Sequence, residues 1–311
     1  LGNTSKGYAY SFTIQIQKPF SNGWNASLAY SLGHSFGLND GTSTTAASNY
    51  RFAYNVNGSG NLDLAHNNYD PGSAVKGYIS KRFEYAKGKL YSQIGLVYSG
   101  ISGQKFSYVY LGDINGDDGT TATFVNTSGG NDLIHLPTSA ADFAPVYAKN
   151  SAGKYIVSIT PEDQYKGFQD YMNTTGYTKE NQGKNTARNG ARLPWENHFD
   201  LKFVQGVKFA KEHSLELSLN IFNISNMISN NWGRSYYLLN QEAQPLNVAN
   251  PTKTGYDTSV PADQQYTTFD PGHPKVTFNP ATGLNKYTGK PWGYSDFLSR
   301  WNMQIGLRYS F

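Results

Sequence analysis

The last eleven residues, Trp301 to Phe311 (WNMQIGLRYSF), alternate apolar and polar side chains without a fault. Trp301, Met303, Ile305, Leu307, Tyr309 and Phe311 fall on one face, and Asn302, Gln304, Gly306, Arg308 and Ser310 on the other. A period of two belongs to a β-strand whose faces meet different surroundings. Rings at both ends of the apolar face, with Ile and Leu between them, match a strand that crosses a bilayer and sets aromatic side chains at its two interfaces. A strand of a soluble sandwich can alternate in the same way. The rest of the chain has to decide.

Six further segments repeat the pattern. Tyr8, Tyr10, Phe12, Ile14 and Ile16 alternate with Ala9, Ser11, Thr13, Gln15 and Gln17. Trp24, Ala26, Leu28, Tyr30 and Leu32 alternate with Asn25, Ser27, Ala29, Ser31 and Gly33. Val75, Ile79, Phe83 and Tyr85 make a weaker face, interrupted by Gly77 and Lys81. Leu90, Ile94, Leu96 and Tyr98 oppose Gln93, Gly95 and Ser99. Trp195, Phe199, Leu201, Phe203, Val207 and Phe209 oppose Glu196, His198, Asp200, Lys202 and Lys208. Leu215, Leu217, Leu219 and Ile221 oppose Glu216, Ser218 and Asn220. The second face is wet throughout. Apolar residues are therefore expected toward lipid and polar ones toward a hydrated lumen or a plug, the reverse of a soluble barrel.

The connections predict the topology. Tight turns are expected around 20–23, 86–88 and 210–212, and long loops over about 36–73, 103–194 and 227–297. Short and long strictly alternate, as in outer-membrane barrels with short periplasmic turns and long extracellular loops. Composition agrees: among 311 residues there are 24 Tyr and 17 Phe, and only 15% are charged, a balance that favours strands. No apolar run reaches the roughly 20 residues of a transmembrane helix. A mean hydropathy of −0.56 is no objection, because a barrel strand shows lipid only every second residue.

Composition also excludes. With no Cys there is no disulfide, thiolate catalysis or Cys-ligated metal. The net charge of +4 is spread along the chain, with no basic block to suggest a nucleic-acid partner. Leu1-Gly2-Asn3 is neither an initiator Met nor the start of a signal peptide. Seven strands are an odd number, whereas bacterial single-chain barrels have an even one. An open sheet would leave two unpaired edges in lipid. The last strand follows a long loop and should run from outside to the periplasm; counting back, the first does too. The expectation is the C-terminal part of one larger barrel domain, completed by a preceding segment of the same protein.

Several stretches then look familiar in order and spacing. Tyr98–Tyr110 (YSGISGQKFSYVY) leads to 112–119 (GDINGDDG) and Asn131–Pro137 (NDLIHLP). Asn189–Asn197 (NGARLPWEN), Asp200–Phe209 (DLKFVQGVKF), Leu217–Asn226 (LSLNIFNISN) and Asn231–Gly233 (NWG) follow. From about Tyr98 to Phe311 the chain resembles the C-terminal barrel portion of TonB-dependent outer-membrane transporters of the Bacteroidota, the Oar-like branch and, more distantly, the SusC-like glycan importers. The resemblance implies a plugged barrel of about 22 strands, of which these would be the last seven. It also implies an N-terminal plug and a TonB box outside this sequence, and a possible surface-lipoprotein partner for the SusC-like case. The terminal aromatic, Phe311, resembles the C-terminal signal read by the outer-membrane assembly machinery.

Candidate ligand residues are few. Asp113, Asn115 and Asp117 have the 1,3,5 spacing of oxygen donors in a calcium loop, and Asp118 adds a carboxylate; hard donors at alternate positions can wrap one side of Ca²⁺. The glycine comes one place late at Gly119, and position 12 is Phe124 where an EF-hand has Glu. Asp132 is placed to close such a site from the other side of the loop. The competing reading is a polar turn. Thr160-Pro161-Glu162-Asp163 has the form of a helix start, after which Tyr165, Phe168, Tyr171 and Met172 share one face. Loop aromatics such as Tyr50, Phe52, Tyr54, Tyr69, Trp232, Tyr236, Tyr237, Trp292 and Tyr294 suit either ligand stacking or packing of the loops on each other.

Enzyme signatures are missing: the six His (34, 66, 135, 198, 213 and 273) form no HExxH or HxH, and there is no GxSxG, P-loop or strand–GxGxxG–helix unit. His198 and Asp200, two apart on the wet face, are the one pair an outer-membrane hydrolase could use. The sequence is therefore read as a non-enzymatic part of a TonB-dependent importer in the Gram-negative outer membrane, taking up a glycan, peptide or metal chelate. The rival is an eight-stranded barrel with a structural or adhesion role, its eighth strand supplied by Trp232–Asn240 (WGRSYYLLN).

Overall fold

Seven long strands carry the alternation in the computed structural model, which describes residues 4–41, 43–111, 114, 131–209, 213–239, 242–248, 275–279 and 284–311. They are β1 (Tyr8–Ser21), β2 (Trp24–Gly37), β3 (Gly72–Tyr85), β4 (Leu90–Ile101), β5 (Glu196–Lys208), β6 (Ser214–Phe222) and β7 (Asn302–Ser310). Each pairs antiparallel with its neighbours in chain order, forming one sheet. Within this sheet β1 and β7 are the outer members of the path, each bonded to one long neighbour.

Register keeps like faces together. One cross-strand row reads Ala26, Ile79, Leu96, Leu201, Ile221 and Met303. The next reads Trp24, Lys81, Ile94, Phe203, Leu219 and Ile305. Since a slip of one residue would turn every side chain to the other face, this agreement over six strands fixes the pairing. Among the described residues no protein layer covers the apolar face: Ile16, Ile305 and Leu307 are each 71% exposed.

Rings border that face at both ends. Near the tight turns lie Phe20, Trp24, Phe83 and Tyr85, and Phe209, Tyr309 and Phe311 stack in sequence. Lys81 reaches over the Trp24 ring at 4.9 Å and donates to the Asn22 carbonyl at 2.8 Å. Toward the long loops, Tyr30 bonds Ser73 at 3.1 Å, while Tyr98 and Trp195 both donate to Asn197 Oδ1, at 2.7 and 3.0 Å. A second amide in the apolar face, Gln205, is answered by Tyr85, Ser92 and the Tyr91 carbonyl at 2.7–3.0 Å. Between Trp301 and Tyr309 eight residue steps of about 3.3 Å span roughly 26 Å along the strand.

The other face is polar and pairs with itself. Thr13 meets Ser31 at 2.9 Å, Gln15 donates to Ser27 at 3.0 Å, and Arg82 pairs with Glu84 at 2.9 Å. Tyr91 of β4 lies across Gly206 of β5 and donates to Glu216 of β6. The Arg82 guanidinium covers its ring at 3.8 Å. A Cβ at Gly206 would overlap that ring, so the glycine is what lets one side chain tie three strands.

All described tight turns are at one end of the sheet. Asn22 and Gly23 have φ of 52° and 77°, the left-handed pair that a two-residue hairpin needs to match strand twist. The turn expected at 210–212 lies outside the described residues.

At the other end the long connections fold onto each other. The second and third loops share a core of Phe106, Tyr108, Ile134, Leu136, Phe143, Phe168, Tyr171, Leu246, Phe278 and Trp292. Each such side chain, fully buried, contributes about 1.5–3 kcal/mol. Helix α1 (Pro161–Met172) starts as expected, with Thr160 Oγ1 accepting the Asp163 amide at 3.1 Å. It buries Phe168, Tyr171 and Met172, the two rings against Phe278 of the third loop. Gln164 completes that contact, donating to the Ala144 carbonyl at 2.7 Å and accepting from the Phe278 amide at 2.9 Å. The third loop runs longer than the periodicity suggests, from the end of β6 to the start of β7, with short helices at Ile224–Ile228 and Asp296–Ser299. The rival's eighth strand is corrected here: of its described residues only Tyr236–Tyr237 are extended, and they pair with Gly293–Tyr294, not with the sheet.

Gly206→Ala should force Tyr91 out of its place and cost about 1–3 kcal/mol. Thermal unfolding of the intact protein would show it, and Tyr91→Ala combined with Gly206→Ala should cost less than the two separately. Additive losses would mean that ring and glycine do not share this space.

Candidate functional site

The densest charged cluster forms where the first loop leaves and rejoins the sheet. His34 lies near the end of β2; the chain then returns through Ala65–His66, which pairs with Phe36–Gly37. Asp70 follows, and Pro71-Gly72 leads into β3. Gly72 takes φ +62°, and a Cβ there would lie 2.6 Å from Arg192 Nη1. Glycine is required at this crossing because the guanidinium passes against the backbone.

Asp70 is the hub, and its side chain has no exposure. Oδ2 accepts from Nδ1 of His66 at 2.8 Å, Nδ1 of His34 at 3.1 Å and the Ser35 amide at 3.0 Å. Oδ1 accepts from Arg192, whose other arm donates to the Gly103 carbonyl at 2.9 Å. Burial alone would raise this carboxyl, but the Ser35 amide, the two imidazoles and Arg192 together hold it well below its ordinary 3.8. Burial lowers His66, against the pull of Asp70. Lys105 is pushed down to about 8 by burial first and by Arg192 second.

The NGARLP stretch fastens the same junction. Asn189 donates to the His66 carbonyl and to Asn68 Oδ1, both at 2.8 Å, and its amide donates to Ser107 Oγ at 2.8 Å. Arg188 pairs with Asp40 at 3.0 Å. From NDL, Asn131 donates to the Arg51 carbonyl and to Ser59 Oγ, each at 3.0 Å. Tyr54 of the first loop donates to Glu242 of the third, and burial raises both groups. A second knot closes the tops of β5 to β7. Asn223, at φ 52°, gives its amide to Asp200 at 2.8 Å and its side chain to the Gly233 and Ser299 carbonyls at 2.7 Å. Motif residues of both stretches thus meet as loop anchors.

Other sequence candidates separate. Asp113, Asn115 and Asp117 lie outside the described residues. Asp132 is buried, and its Oδ2 accepts the Ile114 amide at 2.7 Å. His198 faces Ser235 at 3.3 Å and Glu196 at 3.7 Å, while Asp200 serves Asn223, so the pair is not joined in one relay. Phe311 is 88% exposed and stacks on Tyr309 at 5.8 Å. The His34–His66–Asp70 grouping went unread in the sequence. Its faint signal is the four-residue spacing of His66 and Asp70; His34 and Arg192 join only through the fold.

An acid whose folded pKa is depressed adds stability above its unfolded pKa and loses it as pH falls through the folded value. Resistance of the junction to proteolysis should therefore fall in two steps as pH drops, one below about pH 6.5, where the lowered His66 must take up a proton, and one below about pH 4, where Asp70 does. Asp70→Asn should lose about 3 kcal/mol by breaking a largely buried pair and abolish the lower step. Wild-type acid dependence retained in Asp70→Asn would assign it to another carboxylate.

No protein-family model, no curated protein and no solved structure matches this chain.

Proposed function

We propose that this chain is the C-terminal part of the β-barrel of a TonB-dependent active importer in the Gram-negative outer membrane. The observation that carries the reading is the exposed apolar face that continues across seven strands and is bordered by rings at both ends. Water would make such a face costly; hydrocarbon would not. An apolar band of roughly 25 Å between aromatic girdles, with turns at one side and long loops at the other, is what an outer-membrane barrel needs.

In this reading β1 and β7 pair with the remaining strands, since an edge left open in lipid strands its backbone groups. The wet face lines the lumen against an N-terminal plug, and the loop cap forms part of the external wall of a site for a glycan, peptide or metal chelate. Binding opens the way for TonB, engaged through a segment outside this chain, to displace the plug. A surface lipoprotein would dock on the loops in the SusC-like case. Phe311 serves as the assembly signal. A calcium ion at Asp113, Asn115, Asp117 and Asp132 would order the second loop. No bond is made or broken.

Which face meets lipid is decided by charge. Ile305→Arg, at the middle of β7, should cost about 2–4 kcal/mol and lower the amount of assembled protein in outer membranes, whereas Gln304→Arg should be tolerated. The opposite ranking would place lipid on the other face.

The importer role has its own test. The intact protein extracted from outer membranes should bind the purified periplasmic domain of TonB. An assembled protein that fails to bind it would favour a structural barrel.

A further inference from the structure

We propose that His34, His66 and Asp70 bind one transition-metal ion of the zinc type where the first loop joins the sheet. The site is independent of what the barrel carries. The three residues bring one donor atom each within 4.8 Å of one another. In the hydrogen-bonded arrangement Asp70 Oδ2 is 2.8 Å from His66 Nδ1 and 3.1 Å from His34 Nδ1. A tetrahedral ion with bonds of about 2.0–2.1 Å sets its donors roughly 3.4 Å apart. Binding therefore requires each imidazole nitrogen to draw back from Asp70 Oδ2 by a few tenths of an ångström, with the two nitrogens, within 4.8 Å of each other, turned to the same ion. An ion would then replace the two imidazole protons, which move to Nε2, at no net cost in protonation if the rings are neutral.

Two imidazole nitrogens and one carboxylate oxygen form a zinc donor set that leaves a fourth position for water or a ligand. The set is too small and too rich in nitrogen for Ca²⁺, which takes six to eight oxygens. The outer partners are already in place. Arg192 and the Ser35 amide hold the carboxylate from the far oxygen and the backbone side, the kind of support that orients ligands in metal sites. Both imidazoles keep about a quarter of their side-chain surface, which leaves an entry path, while Asp70 is sealed. Arg192, paired with Asp70, brings opposing positive charge to the cluster.

The test uses the intact protein in detergent, purified without a histidine tag, stripped with EDTA, exposed to Zn²⁺ and desalted. The wild type should retain one ion more per chain than the His34→Gln/His66→Gln double variant. Each single variant should weaken zinc binding at least tenfold, and His135→Gln, a histidine bonded to Asn185 at the loop surface, should not. Co²⁺ in the same site should give the intense visible absorption of a tetrahedral ion. Should the variants misfold, the wild type alone decides: zinc must raise the resistance of the first loop to protease. No retained ion and no added resistance in the stripped wild type would overturn the proposal, and so would equal loss in His135→Gln; the cluster would then be a hydrogen-bonded anchor only.

Discussion

Among the described residues the apolar face of the sheet has no protein against it, and the rest of the structure follows from that. A sheet normally hides one face on a second layer. Here β1 to β7 turn rows such as Ile79, Leu96, Leu201 and Ile221 outward. The other face is occupied by hydroxyls, amides and charges that pair among themselves. Neither face can therefore hold an ordinary core. The sheet depends on its ladders, on its register, and on side chains that cross it, as Tyr91 crosses Gly206 to reach Glu216.

The core is displaced into the connections instead. Loops of this length would be entropically costly if each were free. They escape that cost by burying aromatic side chains on one another. Tyr108 of the second loop stacks on Tyr177 at 5.9 Å, and Phe278 of the third closes on Phe168 at 5.4 Å. Such a core would slide on the sheet if packing alone held it. Polar anchors at its rim fix it: Asp70 with Arg192, Asn189 with Asn68, and Asn223 with Asp200. Each is buried or nearly so, which is why each has its partners matched; an unmatched member would cost more than the bond contributes.

The sequence made the sheet legible because its two faces differ in polarity, and period-two alternation records that difference directly. All seven strands could be read that way, and the helix at Pro161–Met172 from its Thr160 cap and the helical spacing of Tyr165, Phe168, Tyr171 and Met172. The weak segment at β3 was readable for the same reason: Gly77 and Lys81 interrupt the pattern but keep its parity. The loops were far less legible. Residues that build their core, such as Phe106, Leu246 and Phe278, have no period, because they meet through chain reversals and not through a regular element. The WGRSYYLLN stretch misled on composition: its rings favour extension, but the nearby Asn223 and Ser299 anchors leave it over the strand tops, where only Tyr236–Tyr237 find a partner. His34 and Asp70 were invisible as a pair. Asp70 comes 35 positions after Ser35 in the chain, and the Ser35 amide contact exists only once the loop between them has closed.

That closure links the two halves of the architecture. The strands β2 and β3 are adjacent partners, so the first loop begins and ends at the same point of the sheet. A long loop with its ends together is held most economically by one knot at its base, and Asp70 supplies it. The carboxylate gathers His34 from β2, His66 from the returning strand and Arg192 from the second loop. Cutting this knot would remove the charged tie between the first loop, the sheet and the second loop, leaving Asn189 on His66 and Asn68 and Arg188 on Asp40 to hold the junction. The cap thus owes part of its position to a few charged contacts at the rim. Gly72 joins them to the backbone: the left-handed turn it adopts both starts β3 and leaves room for Arg192, so strand initiation and loop anchoring depend on the same residue.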